Sequence, residues 1–141
     1  MVRPVETFLK YLDSKHLKLT RERKAVLEEV FFHPGHLEAE ELTHTLRSKK
    51  SRVSRATIYR TLELLVDSGI VRKIDLGHGH SHYEHILGHT HHDHLVCLKC
   101  GKVIEFTDKK IERLQTNICQ KSRFQEISHT VQIFGYCKDC R

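Results

Sequence analysis

Two pairs of cysteines, Cys97-Leu-Lys-Cys100 and Cys137-Lys-Asp-Cys140, constrain this chain more than any other feature. A CxxC turn sets two thiolates about one tetrahedral edge apart, so two such pairs close a shell around a single Zn2+ with no open position. A redox dithiol needs only one pair, and unrelated core cysteines would not recur at this spacing. Cys97, Cys100, Cys137 and Cys140 are therefore expected to hold a structural zinc, with Lys99, Lys102 and Lys138 close in sequence to its excess negative charge. The remaining cysteine, Cys119, is read as a small core residue of a helix. A lobe of about 50 residues around such a site buries too little apolar surface to be stable without a metal, disulfides or a partner chain.

No apolar run approaches the roughly 18 residues of a membrane span. The segment Met1 to Lys10 carries Pro4, Glu6 and Lys10 where a leader would have its apolar core. The expectation is a cytoplasmic chain with no membrane partner, in which thiols stay reduced and paired cysteines point to metal. A formal charge of +6 leaves room for a polyanionic partner without requiring one.

The first half has different chemistry. Residues 1–77 hold no cysteine and 15 of the 24 basic residues. The helical reading begins at Thr20, which caps a segment with Val26, Leu27, Val30 and Phe31 in one apolar stripe, broken at Pro34-Gly35. Glu38 to Leu46 repeats the pattern with Ala39, Leu42 and Leu46. A third helix starts at the N-cap Ser54 and stops at Ser68-Gly69, with Gly69 placed to turn left-handed. Its Ile58, Leu62, Leu65 and Val66 face the core, which leaves Arg55, Thr57, Tyr59 and Arg60 pointing elsewhere. Ile70 to Leu76, a turn at Gly77-His-Gly79 and Ser81 to Ile86 read as a hairpin. Helix, helix, recognition helix and hairpin is the plan of a winged helix-turn-helix, whose last helix enters the major groove of double-stranded DNA. The stretch from 42 to 62 has no acidic residue, yet contains Arg47, Lys49, Lys50, Arg52, Arg55 and Arg60. That is unusual for a merely solvated, salt-bridged surface, and arginine and tyrosine there suit guanine edges, phosphate and thymine methyls.

The second half alternates. Leu95 to Cys97 and Lys102 to Phe106 read as strands, Asp108 caps a helix with Ile111, Leu114 and Ile118 on one face, and 129–134 reads as a closing strand. Exposed sheet edges in such a lobe make a homodimer the natural expectation. The fold class is thus α+β: an N-terminal winged helix-turn-helix over 1–86, a hinge over 87–94, and a small α/β dimerisation domain over 95–141.

Eight of the 13 histidines lie between His78 and His94. The pattern His89-Thr-His91-His92-Asp93-His94 is similar to that of metallo-β-lactamase hydrolases. Those enzymes need a larger sandwich and further ligands, whereas only His129 follows the run here, and no nucleophile and general-base arrangement is apparent. An enzyme is not expected. If 91–94 is extended, alternate side chains point to opposite sides. His92 and His94 then serve one site, His91 and Asp93 another, with Glu84, Glu105, Glu112, His36 and His129 available as partners. Nitrogen and oxygen donors bind Fe2+, Mn2+, Co2+ or Zn2+ reversibly, whereas thiolates hold zinc tightly. One permanent and one exchangeable metal is the layout of a sensor. The rival reading from another class is a metal-buffering protein, which would explain the histidines without DNA. The turn His78-Gly-His-Ser-His82 is read as solvated.

Three segments carry a resemblance over nearly the whole chain: Leu19-Thr20-x-x-Arg23, the helix Ala56-Thr57-Ile58-Tyr59-Arg60-Thr61-Leu62, and His91-His92-Asp93-His94-Leu95-Val96-Cys97-x-x-Cys100-Gly101-Lys102-Val103-Ile104-Glu105-Phe106 followed by the second CxxC. The chain resembles the ferric-uptake regulators, which implies a homodimeric, metal-dependent transcriptional repressor. The resemblance places a regulatory metal on His36, Glu84, His92, His94 and Glu105, and an additional one on His91, Asp93, Glu112 and His129. It places base reading on Tyr59 and Arg60 and a minor-groove contact on Lys18; Arg23, Arg55 and Thr57 are expected as further DNA contacts. Glu105 is similar to the iron-sensing branch, which implies Fe2+, replaceable by Mn2+, Co2+ or Zn2+; peroxide-, zinc- and manganese-sensing branches are the alternatives. His85 and His89 stand as rival ligands beside the regulatory set.

Overall fold

The structure, a computed structural model, describes residues 3–77 and 79–141; the His78 end of the histidine-rich turn lies outside them. The chain divides into two compact units, Met1–Thr90 and His91–Arg141.

In the first unit, helix α1 (Pro4–Ser14) is followed by α2 (Arg21–Phe32), the two-residue strand β1 (Leu37–Glu38), α3 (Ala39–Ser48), α4 (Arg55–Asp67) and the hairpin β2 (Val71–Asp75) and β3 (Ser81–His85). The strands form an antiparallel sheet in the order β1-β3-β2. The capping signals act as expected. Thr20 accepts the Arg23 N–H and Ser54 accepts the Thr57 N–H, each relieving one of the orphan donors at a helix start. Gly69 sits at φ +75°, the left-handed conformation that closes a helix and that glycine adopts at least cost.

Helix α1 and strand β1 were not anticipated. Pro4 occupies the first turn of α1, but its N-cap is Arg3 with no side-chain bond, and only Phe8 and Leu12 are buried. Two buried residues and no cap leave little periodic signal. Strand β1 is too short to show alternation, and it exists because Leu37 pairs with Tyr83 and Glu38 with His82. Glu38 is consequently the extended residue before α3 and not its first helical residue.

One core joins these elements: Phe8, Leu12, Val26, Leu27, Val30, Leu42, Leu46, Ile58, Leu62, Leu65, Ile70 and Val71 are all buried. Val66 and Phe31, both expected in the stripe, only pack against its edge. Thr61 is buried instead, its hydroxyl satisfied by the Thr57 carbonyl one turn back. Leu62 is 0% exposed, so Leu62→Ala is expected to cost about 2–5 kcal/mol of the first unit's stability through lost burial and a residual cavity. Urea denaturation monitored by helical circular dichroism checks this, and a loss near zero would contradict the packing.

The second unit runs β4 (Asp93–Cys97), β5 (Val103–Phe106), α5 (Lys109–Lys121) and β6 (Gln132–Gly135), with sheet order β5-β4-β6. β5 is antiparallel to β4, while β6 returns parallel to it, pairing Leu95 with Ile133. The closing strand begins at Gln132 and not at His129. Ahead of it, the Val131 N–H is bonded to the Asp93 carboxylate and the His129 ring is held by Glu112 and Glu126, so these groups are taken by side chains. Asp108 caps α5 as expected, accepting from Lys110 and Ile111. Yet α5 buries no residue: Leu114 is 61% and Ile118 63% exposed. Cys119 is only half-buried, so its expected core role is not met within the single chain.

No helix among the described residues is long and apolar enough to cross a membrane.

Candidate metal centres and nucleic-acid interface

The thiolate cluster is built by two turns. Cys97 closes β4, and its backbone pairs with Lys102 while Gly101, at φ +75°, folds the N–H back onto the Cys97 carbonyl at 2.9 Å. That turn brings Cys100 back beside Cys97. After β6 the Cys140 N–H returns to the Cys137 carbonyl at 2.9 Å. Because β6 lies beside β4, the two turns meet, and all four sulfurs lie within 4.8 Å of one another, Cys100 to Cys137 at 3.8 Å. Zn–S bonds of about 2.3 Å imply a tetrahedral edge of about 3.8 Å, so the set fits zinc. Backbone N–H groups of Cys100 and Cys137 hold the Cys97 thiol down at about 6, so a thiolate is prepared there. Cys140 is pushed up to about 12 by sharing its proton with Cys137 and by burial. A tetrathiol crowded in this way is strained as four anions unless a cation neutralises it.

The histidines and carboxylates form separate groups. In the first unit His36 Nε2 stands 2.9 Å from Glu84 Oε2, and Glu84 is 4% exposed. Burial works against its charge, but the His36 ring and the Arg72 guanidinium hold its carboxyl well below the usual range. In the second unit the rings of His92 and His94 are 5.0 Å apart, and His92 Nε2 lies 3.7 Å from Glu105. The β4–β5 register sets His94 directly opposite Glu105. Nitrogen and oxygen donors of this kind suit Fe2+, Mn2+, Co2+ or Zn2+.

On the other side of the same extended segment His91, Glu112 and His129 gather, each offering one atom within 4.8 Å of the others. Asp93 joins through His91 Nε2 at 3.2 Å. It is 1% exposed, and its Oδ2 is buried with no hydrogen-bond partner among the described residues, which leaves one carboxylate oxygen free to face a cation. The alternation argued for 91–94 holds in its contacts: His92 faces His94, and His91 faces Asp93. Glu126 was missed. It bonds His129 Nδ1 and so orients the ring, leaving Nε2 toward Glu112. Its position three residues before His129 was the available signal.

The rival histidines His85 and His89 stack edge to face at 4.5 Å, with His85 also against Phe31 at 4.8 Å. Neither belongs to a group of three or more ligands among the described residues. Burial, and then His89, push His85 toward the neutral form. His82 is not part of a solvated turn: it sits in β3, paired with Glu38, with its ring 3.4 Å from that carboxylate.

At the reading face expected from the sequence, Arg23, Thr57 and Arg60 line one shallow cleft, and Arg23, Tyr59 and Arg60 an adjoining one. The Arg23 guanidinium donates to the Lys18 carbonyl at 2.5 Å, which ties the loop before α2 to that face. The acid-free stretch is less isolated than it looked. Glu40, just before it, pairs with Arg55 and accepts the Tyr59 hydroxyl at 3.0 Å. An acid two positions outside the stretch reaches it because α3 packs beside α4.

A family model described as the ferric uptake regulator family matches residues 14–134. The ferric uptake regulation protein of Escherichia coli strain K12 is 40% identical over 129 residues, covering 89% of this chain and 86% of that one. A solved structure of the Helicobacter pylori ferric uptake regulator, described as having three functional metal binding sites, superposes with a TM-score of 0.82 at 33% identity, over 97% of this chain and 91% of that one. The ferric uptake regulator of Pseudomonas aeruginosa with manganese superposes with a TM-score of 0.80 at 30% identity, over 98% and 99% of the two chains.

Proposed function

Because the chain belongs to the ferric uptake regulator family, we propose that it is an Fe2+-responsive, DNA-binding transcriptional repressor that acts as a cytoplasmic homodimer and not as an enzyme. The single observation that carries the reading is the separation of one closed thiolate cluster from histidine–carboxylate groups of reversible chemistry. Cys97, Cys100, Cys137 and Cys140 hold the structural zinc. His36 and Glu84 of the first unit, with His92, His94 and Glu105 of the second, hold the regulatory ion. His91, Asp93, Glu112 and His129 hold an additional one; the Helicobacter pylori regulator is also described with three metal sites. Mn2+, Co2+ or Zn2+ has the ligand preferences to replace Fe2+.

A divalent cation bound by the regulatory set supplies two positive charges that bind carboxylates and imidazoles drawn from both units. His36 and Glu84 are anchored in β1–β3 and its approach, so holding the ion ties the winged helix to the dimerisation unit. Metal and operator affinity are then thermodynamically coupled. Tyr59 and Arg60 read base edges, Arg23, Arg55 and Thr57 contact the backbone or flanking bases, and Lys18 reaches the minor groove. For the homodimer, the support is the open apolar surface of the second unit. Ile104, Ile133, Phe134, Tyr136, Leu114 and Ile118 are exposed, apolar side chains that a second copy would cover.

The test uses a duplex selected from a randomised pool against the zinc-loaded chain with Mn2+. Binding is expected to tighten with Mn2+ and to weaken steeply with salt, as phosphate contacts require. Arg60→Ala is expected to cost about 1–3 kcal/mol of that binding and to relax sequence preference. Equal affinity with and without metal would sink the repressor reading. Absence of any salt-dependent duplex binding would favour metal buffering.

A further inference from the structure

In the β2–β3 hairpin Arg72 and Glu84 are directly opposed partners. Both point to the same side, and both are largely removed from water, with Arg72 18% and Glu84 4% exposed at the side chain. Arg72 Nε donates to Glu84 Oε1 at 2.8 Å, and its terminal nitrogen contacts the same oxygen. The other oxygen, Oε2, faces His36. A buried carboxylate in the middle of a sheet is costly without a counter-charge, and here the chain carries that charge on the neighbouring strand. The guanidinium is permanently charged and planar, so it holds one carboxylate oxygen in place.

This arrangement has a consequence for any cation that takes Glu84. The ion must share the carboxylate with a positive charge that cannot lose its proton or diffuse away. Two opposing effects follow. Arg72 fixes the Glu84 rotamer, which favours binding, and it repels a divalent cation, which disfavours it. The positioning role is partly redundant, because Glu84 is also held by its place in the central strand of the sheet. The repulsion is not, since it acts on a doubly charged ion across a poorly hydrated site. Repulsion therefore dominates. We propose that Arg72 is a built-in counter-ion to Glu84 that weakens metal binding at the regulatory site and so raises the metal concentration at which the regulator responds. The proposal rests on the reading of His36 and Glu84 as regulatory ligands. It makes Arg72 a positioning and affinity-setting residue and not a metal ligand.

The experiment titrates Mn2+ into the zinc-loaded full chain in a His129→Ala background, so that the additional histidine–carboxylate group is impaired, with competition against a fluorescent chelator. Arg72→Met removes the charge. Arg72→Gln removes it while keeping a hydrogen-bond donor for Glu84, and serves where the methionine variant does not fold. Arg72→Lys keeps the charge and loses the fork. The neutral variants are expected to bind Mn2+ at least about tenfold more tightly, and the lysine variant to stay near the parent, because charge and not packing sets the effect. A purely structural Arg72 would give weaker binding in all three, which would overturn the proposal, as would unchanged affinity in the neutral variants. His92→Ala in the same background separates the two levels of argument. If it removes Mn2+ binding while the Arg72 variants match the parent, the regulatory site stands and the counter-ion role falls. If it leaves Mn2+ binding unchanged, the site assignment falls and the proposal with it.

Discussion

Cys97→Ser is expected to unfold the second unit and to abolish any dimer it makes, while the first unit stays folded. The reason lies in how little else holds His91–Arg141 together. Among its described residues the only buried apolar side chains are Val96 and Cys97 itself, and α5 buries nothing. A three-stranded sheet with an open helix does not offset the chain entropy of about 50 residues. The thiolate cluster joins the turn after β4 to the turn after β6, the two strands that meet in parallel. Structural Zn2+ contributes apparent binding free energies of about 10–16 kcal/mol in zinc-finger peptides, which is folding free energy when no site exists in the unfolded chain. By contrast, the first unit has a continuous core to which the cysteines contribute nothing. Zinc content, size-exclusion mass and limited proteolysis check the outcome. A zinc-free serine variant that kept its mass and its resistance between 91 and 141 would refute the staple role. Extraction of zinc with a strong chelator should reproduce the phenotype in the unaltered chain.

His92→Ala should do the opposite: keep the fold and remove the response. Its ring is not part of the hydrophobic core, and its neighbours are His94 and Glu105. Removing it deletes an imidazole donor without opening a cavity in either unit. Couplings between effector and ligand sites are typically worth about 1–3 kcal/mol, or about 5- to 150-fold in affinity. The variant is expected to lose that factor, so that duplex binding with Mn2+ equals binding without it, at unchanged zinc stoichiometry and unchanged mass. Fluorescence anisotropy with the selected duplex reads this directly. A variant that still tightened on DNA with Mn2+ would exclude His92 from the regulatory set. One that lost zinc or its assembly would show that the histidine is structural.

Much of this was legible before the fold, and the reason differs from element to element. Thr20, Ser54, Asp108 and Gly69 act on the backbone within three residues, so their effect is local and readable. Cys97-x-x-Cys100 and Cys137-x-x-Cys140 are likewise local turns, and the spacing within each pair carries the chemistry. The alternation of 91–94 was readable because an extended segment has only two sides. Elements without local signal were lost. Helix α1 has no side-chain cap, and β1 is defined by a partner strand more than 40 positions away. The closing strand was misplaced by three residues because Asp93 takes the Val131 N–H, a contact no periodicity reveals.

Donor types, the two-part division of charge and metal chemistry, and the caps that start the helices are all set by residues close along the chain, and so could be read from it. Which groups neutralise one another across the fold depends on how distant segments pack. Glu40 reaches Arg55 and Tyr59 because α3 lies against α4, and Arg72 meets Glu84 because the hairpin register places them opposite. Electrostatic pairing depends on distance in space and on exclusion of water, and neither quantity is written along the chain. The paired cysteines could be read as a metal site from their spacing; that they meet at all depends on β6 returning parallel to β4.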